Sequence, residues 1–223
     1  MRYVFPLVVL LSLAPAVSGQ IVFLPVDAPT LQVGGGYTTI SSTSGLVTEL
    51  TALANGRIGF QLGAGFFTTD VADENDFIRN ADASVRSFSV GPVFYPSRQT
   101  DDQALTVALG VAYVYTTYPD LDIDGTRAIA LALDVARNVT PDETAGGMTP
   151  HLGAGISFQQ QPGGGSGNVQ VFSFTGGVEF GVRLTPGIVL VGDPSVSVAQ
   201  AEGTRSFGLG LRVALGFSVD AQN

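Results

Sequence analysis

From Ser206 to Val219 the chain reads SFGLGLRVALGFSV. Phe207, Leu209, Leu211, Val213, Leu215, Phe217 and Val219 fall on one face of an extended strand, and Ser206, Gly208, Gly210, Arg212, Ala214, Gly216 and Ser218 fall on the other. Successive side chains of a strand point to opposite faces, so the segment offers one fully apolar face and one small or polar face. Its fourteen residues are enough to cross a bilayer at a tilt.

The same period recurs and predicts ten strands, at about 31–41, 45–53, 57–69, 84–95, 104–118, 126–138, 149–160, 169–184, 187–200 and 206–219. Eight is the alternative count, should the first two prove irregular. In the third strand Ile58, Phe60, Leu62, Ala64 and Phe66 oppose Arg57, Gly59, Gln61, Gly63 and Gly65; in the sixth, Ile129, Leu131, Leu133 and Val135 oppose Ala128, Ala130, Ala132, Asp134 and Ala136. Asn55-Gly56 is a hairpin signal. A three-residue loop over 54–56 would pair Ala52 with Ile58 and keep Glu49 on the polar face beside Gln61. Gly34–Gly36 weakens the first strand, and Pro194 predicts a bulge or break in the ninth.

Alternation alone also describes a soluble sandwich or barrel, so the contents of the faces decide. A soluble strand exposes Lys, Glu, Thr and Gln. Here the second face is mostly Gly, Ala, Ser and Thr with an occasional Arg or acid, which suits the crowded interior of a narrow barrel. Closure also satisfies every strand edge, a requirement in lipid. The predicted fold is all-β: an antiparallel up-and-down transmembrane β-barrel spanning 31–219, after a lead-in at 20–30 and before a short tail at 220–223. A soluble lipocalin-like barrel binding a small apolar ligand is the alternative.

Residues 1–19 read as a secretory signal: Arg2 is followed by the apolar run Tyr3–Ala16, and small residues at Ala16, Ser18 and Gly19 suit cleavage. The 223-residue chain has no Cys, which excludes a lipidated N-terminal Cys as anchor. A net charge of −9 argues against a nucleic-acid partner. A mean hydropathy of +0.33 beside a pI near 4.3 fits apolar surface in lipid and acids in wet loops.

With the signal, the repeated alternation and the final strand with Gly210, Val213, Leu215 and Phe217 in view, the chain resembles the small bacterial outer-membrane β-barrel proteins of eight to ten strands. In that family the last strand ends at a terminal Phe, whereas here SVDAQN follows Phe217. The resemblance implies residence in the outer membrane, contact with its lipid and lipopolysaccharide, and insertion by the barrel-assembly machinery. It implies a structural or surface role or a narrow passive channel, and it brings no catalytic residues or cofactor.

The residues themselves point to no catalysis. His151 is the only histidine, and no G-x-S-x-G or H-E-x-x-H motif occurs. Asp120, Asp122 and Asp124 precede Gly125 as in the opening of a calcium loop, yet Leu131 stands where the bidentate Glu belongs. They are the weak metal candidates, with an ordinary Asp-Gly turn as the plainer reading. The acidic stretch Asp70–Asp82 reads as a solvated outer loop. The informative set faces the lumen: Glu49, Arg57, Gln61, Asp134, His151, Glu179, Arg183, Asp193 and Arg212. Charges in a narrow interior are costly alone and should pair. Arg212, flanked by Gly210 and Ala214, has room to reach Glu49, Asp193 or Glu179.

Overall fold

The computed structural model describes residues 28–72, 80–100, 104–121, 124–139, 147–160, 168–185 and 187–218. The signal segment, most of the lead-in, the tail, Asp122 and most of the loops expected at 70–83 and 161–168 lie outside the described residues.

Strict period-two alternation makes ten strands: β1 Thr30–Ile40, β2 Thr43–Leu53, β3 Ile58–Ala72, β4 Asn80–Ser97, β5 Thr106–Thr117, β6 Thr126–Ala136, β7 Gly147–Gln160, β8 Asn168–Thr185, β9 Ile188–Ala201 and β10 Thr204–Ser218. Every neighbour is antiparallel, and β1 pairs with β10 to close the barrel. The count is ten rather than eight, because the Gly-rich first strand pairs along its whole length on both sides. The even number puts Thr30 beside Ser218 at one end, called here the near end.

Turn chemistry follows the residues. Ala201 pairs with Thr204, leaving Glu202-Gly203, both at positive φ (45° and 83°), as the two-residue turn that suits strand twist. At the near end the Asn55-Gly56 hairpin is longer than expected. Asn55 Oδ1 accepts from the amides of Arg57 and Ile58, and the Ala54 amide donates to the Ile58 carbonyl at 2.9 Å. Ala52 therefore pairs with Phe60, not Ile58, and Glu49 faces Gly63 rather than standing beside Gln61. The shift is two residues, so every side chain keeps its expected face.

One further expectation needs correction. β3 and β4 run on to Ala72 and Asn80, with Asp70 paired to Asp82, so both ends of the acidic stretch belong to a hairpin rather than to a loop. At Pro194 the structure shows the expected break rather than a bulge: pairing with β8 is interrupted between Gly177–Ser195 and Phe180–Gly192 while the register stays the same. A proline lacks the ladder N–H but is tolerated where the gap is local.

The barrel is apolar outside. Large side chains point outward from every strand, among them Leu46, Phe60, Phe88, Leu109, Ile129, Leu152, Phe174, Val196 and Leu209. Phe207 is 70% exposed and Leu152 72%. Inside, Gln32, Thr51, Glu49, Gln61, Asp134, Glu179, Asp193 and Arg212 are all buried. A water-soluble domain has this arrangement reversed.

Candidate functional site

The lumen is filled at three levels. Near the termini, Tyr95 and Leu53 pack inside with Arg98, whose Nη1 donates to the Gly56 carbonyl at 3.0 Å and whose guanidinium lies 6.0 Å from the Tyr95 ring centre. At the far end Ile40, Phe67, Val85, Tyr118 and Val171 are buried together. Hydroxyl and amide contacts tie that end: Gln159 Nε2 donates to Thr126 Oγ1 at 2.8 Å, and the Thr43 and Thr69 hydroxyls meet at 2.6 Å. Just beyond β5, burial raises the pKa of the Tyr118 phenol.

At mid-height lies an ion cluster drawn from six strands. Arg212 of β10 is its centre. Its Nη1 donates to Glu49 Oε1 of β2, and its Nη2 to Glu179 Oε1 of β8, each at 2.5 Å. Its Nε lies 3.6 Å from Asp193 Oδ2 of β9. Asp193 Oδ1 is 3.0 Å from His151 Nε2 of β7, and His151 Nδ1 is 3.6 Å from Asp134 Oδ2 of β6. Glu179 is completely buried, and the other five members are at most 8% exposed.

Small residues make this cluster sterically possible. A Cβ on Gly177 would stand 2.5 Å from His151 Nε2 and 2.9 Å from Asp193 Oδ1. The glycine therefore vacates the volume that the His–Asp contact occupies. Gly34 does the same for Glu49, whose Oε1 would be 2.9 Å from an added Cβ. Because Gly34 separates Glu49 from Ala214 along the pairing, the Arg212 guanidinium can reach across β1 to a strand it does not touch in the sheet.

Of the expected lumen set, the structure brings Glu49, Asp134, His151, Glu179, Asp193 and Arg212 together. Gln61 is buried in the lumen too. Arg57 and Arg183 are exposed at the near rim and take no part: Arg57 belongs to the hairpin loop, and Arg183 is two residues from the end of β8. Sequence reasoning missed Arg98. A register shift between Phe94 and Ser97 inverts the alternation at the end of β4 and turns Arg98 inward. Pro96 was the available signal, since proline within a strand marks such irregularities.

Of the calcium-loop residues, Asp120 and Asp124 are described, and neither meets another acid in a metal site. Ser84, through its hydroxyl first and its amide second, holds the Asp120 carboxyl below the usual range; the amide donates to Asp120 Oδ2 at 2.8 Å, and Asp124 is exposed. Among the described residues no three His, Cys, Asp or Glu converge as a metal site.

Above the cluster, toward the far end, lies a chamber of about 90 Å³. Its wall carries Thr38, Ser173, Thr175, Ser195 and Ser197, and its floor is Glu49, Asp134, His151, Asp193 and Arg212.

A closed antiparallel barrel with an apolar exterior and an ion-paired interior has the architecture of a membrane-spanning β-barrel of the outer-membrane type. No family model and no curated protein matches the chain. Solved barrels overlap it. The outer membrane protease OmpT of Escherichia coli covers 86% of this chain and 97% of its own, at 6% identity and a TM-score of 0.41. The β domain of the Bordetella autotransporter BrkA overlaps at 15% identity, with 86% and 98% coverage and a TM-score of 0.43. The KdgM porin does so at 9% identity, with 84% and 98% coverage and a TM-score of 0.40. These overlaps are weak, and neither activity nor ligand is carried over from them.

Proposed function

We propose that the protein is a non-catalytic integral barrel of a bacterial outer membrane, exported by its N-terminal signal, with a lumen closed to solutes. Its role on this reading is structural, or the display of its far-end loops at the cell surface, with outer-membrane lipid, lipopolysaccharide and the insertion machinery as its partners. The observation that carries the proposal is the filled lumen: packed side chains at both ends and the Arg212 cluster between them. Its one imidazole is 5% exposed and held between two aspartates at mid-height, away from any substrate outside the barrel. The apolar exterior speaks against the soluble lipocalin-like alternative, which would need a polar outside and an apolar cavity.

Planar-bilayer recording of the refolded protein tests this. The proposal expects no stable current steps. A narrow passive channel is the competing reading, favoured by the hydroxyl-lined chamber, and regular ohmic steps in the unaltered protein would establish it.

A further inference from the structure

We propose that the outer face of the barrel holds a seat for one anionic glycerophospholipid, with its phosphate at Arg137 and an acyl chain in a groove across β7–β10. The proposal rests on the membrane-spanning reading above. The apolar exterior is not uniform: between the large side chains of Leu152, Phe180, Val196 and Leu209 lies a groove of about 900 Å³, lined almost wholly by apolar atoms. Its floor follows one line of paired residues, from Ala136 through His151, Gly177 and Ser195 to Gly210. His151 and Ser195 turn their side chains to the lumen, so backbone makes the floor. Outward positions beside that line carry Pro150, Gly176 and Pro194, which keep the groove open.

Register gives the groove its direction. It starts at the near end, where β6 stops at Ala136, and reaches the middle of β10 at Gly210. Four strand spacings of about 4.8 Å make it about 19 Å long. With strands tilted about 40° to the barrel axis it descends about 12 Å, within the roughly 15 Å of one leaflet's hydrocarbon. A path of that length and depth suits an acyl chain of the near-end leaflet. Charge supplies the second observation. Arg137 follows the last residue of β6 and lines the groove at its near-end mouth. Its amide donates to the Pro150 carbonyl at 3.1 Å, which keeps it in the pairing row, and its side chain is exposed. An outward Arg costs little at the membrane edge, and its planar fork matches the oxygens of a phosphate. A cationic mouth on an apolar groove complements an anionic head on an acyl chain.

The test uses the full chain refolded into phosphatidylcholine vesicles, with a single Trp replacing either Phe180 at the groove or Phe94 on the outer face of β4. Phosphatidylglycerol with brominated chains, at low mole fraction, is the probe. One interfacial Arg favours an anionic lipid about fivefold, so Phe180→Trp should be quenched several times more than Phe94→Trp. Brominated phosphatidylcholine at the same fraction should quench both alike. Arg137→Gln should remove the excess. Gly176→Leu should remove it by filling the groove, since the added Cβ meets only the Leu152 side-chain tip at 3.2 Å and the His151 carbonyl at 3.9 Å. Equal quenching of both probes by phosphatidylglycerol, or an excess that survives both substitutions, would overturn the proposal. In fully brominated vesicles, Phe180→Trp left bright while Phe94→Trp is quenched would reveal a second copy over the groove and overturn it too. Both probes left bright there would refute the membrane reading, and the lipid seat with it.

Discussion

The inner wall of the barrel is built from two chemistries. Along β4–β6 it is Ala83, Val85, Val93, Tyr95, Ala108, Ala112, Val114, Ala128 and Ala130, with Asp134 as the single charge within the strands. Along β7–β10, β1 and β2 it carries His151, Glu179, Asp193, Arg212 and Glu49, set among Gly, Ser and Thr. One half closes the lumen by packing, which is tolerant in direction and graded in cost. The other half closes it by ion pairs, which are directional and depend on every partner being present. Removing one member of a buried pair strands the rest, whereas trimming a packed side chain costs in proportion to the hole it leaves.

That difference is testable by substitution on each side. Arg212→Ala should be the most damaging single change. It leaves Glu49, Glu179 and Asp193 without their shared cation, at a cost of about 3–5 kcal/mol in urea unfolding from lipid vesicles. A loss below 1 kcal/mol would mean that the carboxylates find other compensation.

Against the packed wall, in β3 at the far end, Phe67→Ala should cost about 3 kcal/mol, near the lower end for a buried aromatic. Gly45 and Gly65 beneath the ring have no side chains to fill the gap; a Cβ on Gly65 would meet Phe67 at 2.3 Å. Unfolding in vesicles reads this too, and conductance should stay silent because the ion cluster is untouched. Current steps in Phe67→Ala would place the seal at the far end rather than at mid-height.

Gly177→Ala lies where the two strategies meet. The added methyl must displace His151 from Asp193, and overpacking of this kind costs about 1–3 kcal/mol. Its signature is a changed His151 imidazole resonance, and an unchanged resonance would refute the placement.

The smallest effect belongs to Asp120→Asn, which keeps an acceptor for the Ser84 amide but loses the charge. Hydrogen exchange at Ser84 should quicken modestly. In the unaltered protein the carboxyl pKa is depressed, so this protection is present above the unfolded carboxylate range and is lost only as pH falls through the lowered value. Protection lost already at the ordinary carboxylate pKa would contradict it.

Strand number and facing were legible in the sequence because lipid and lumen impose opposite chemistry on alternate residues, most cleanly in β10 and β3. Arg212's neighbourhood was legible for the same reason: Gly210 and Ala214 leave space that only an inward guanidinium uses. What the sequence hid was stagger. Which acids lie level with Arg212 depends on the register summed over several hairpins, and Asn55's side-chain contacts moved one of these by two residues. Ladder ends were hidden as well. Asp70 and Asp82 pair although acids disfavour strands. Arg57 and Arg183 keep a lumen-facing parity in the sequence yet lie at the rim, where parity no longer implies enclosure.

The central claim is that the apolar face meets lipid and the small-residue face meets the lumen. The chain contains no Trp, so single Trp probes report without background. Leu209→Trp and Ser197→Trp place one probe on each face of the barrel wall, since Leu209 is 62% exposed outward and Ser197 lines the chamber. Refolded into vesicles containing bromine-labelled lipid tails, Leu209→Trp should be strongly quenched and Ser197→Trp barely so. Equal quenching at both positions, or quenching at Ser197 alone, would contradict the account.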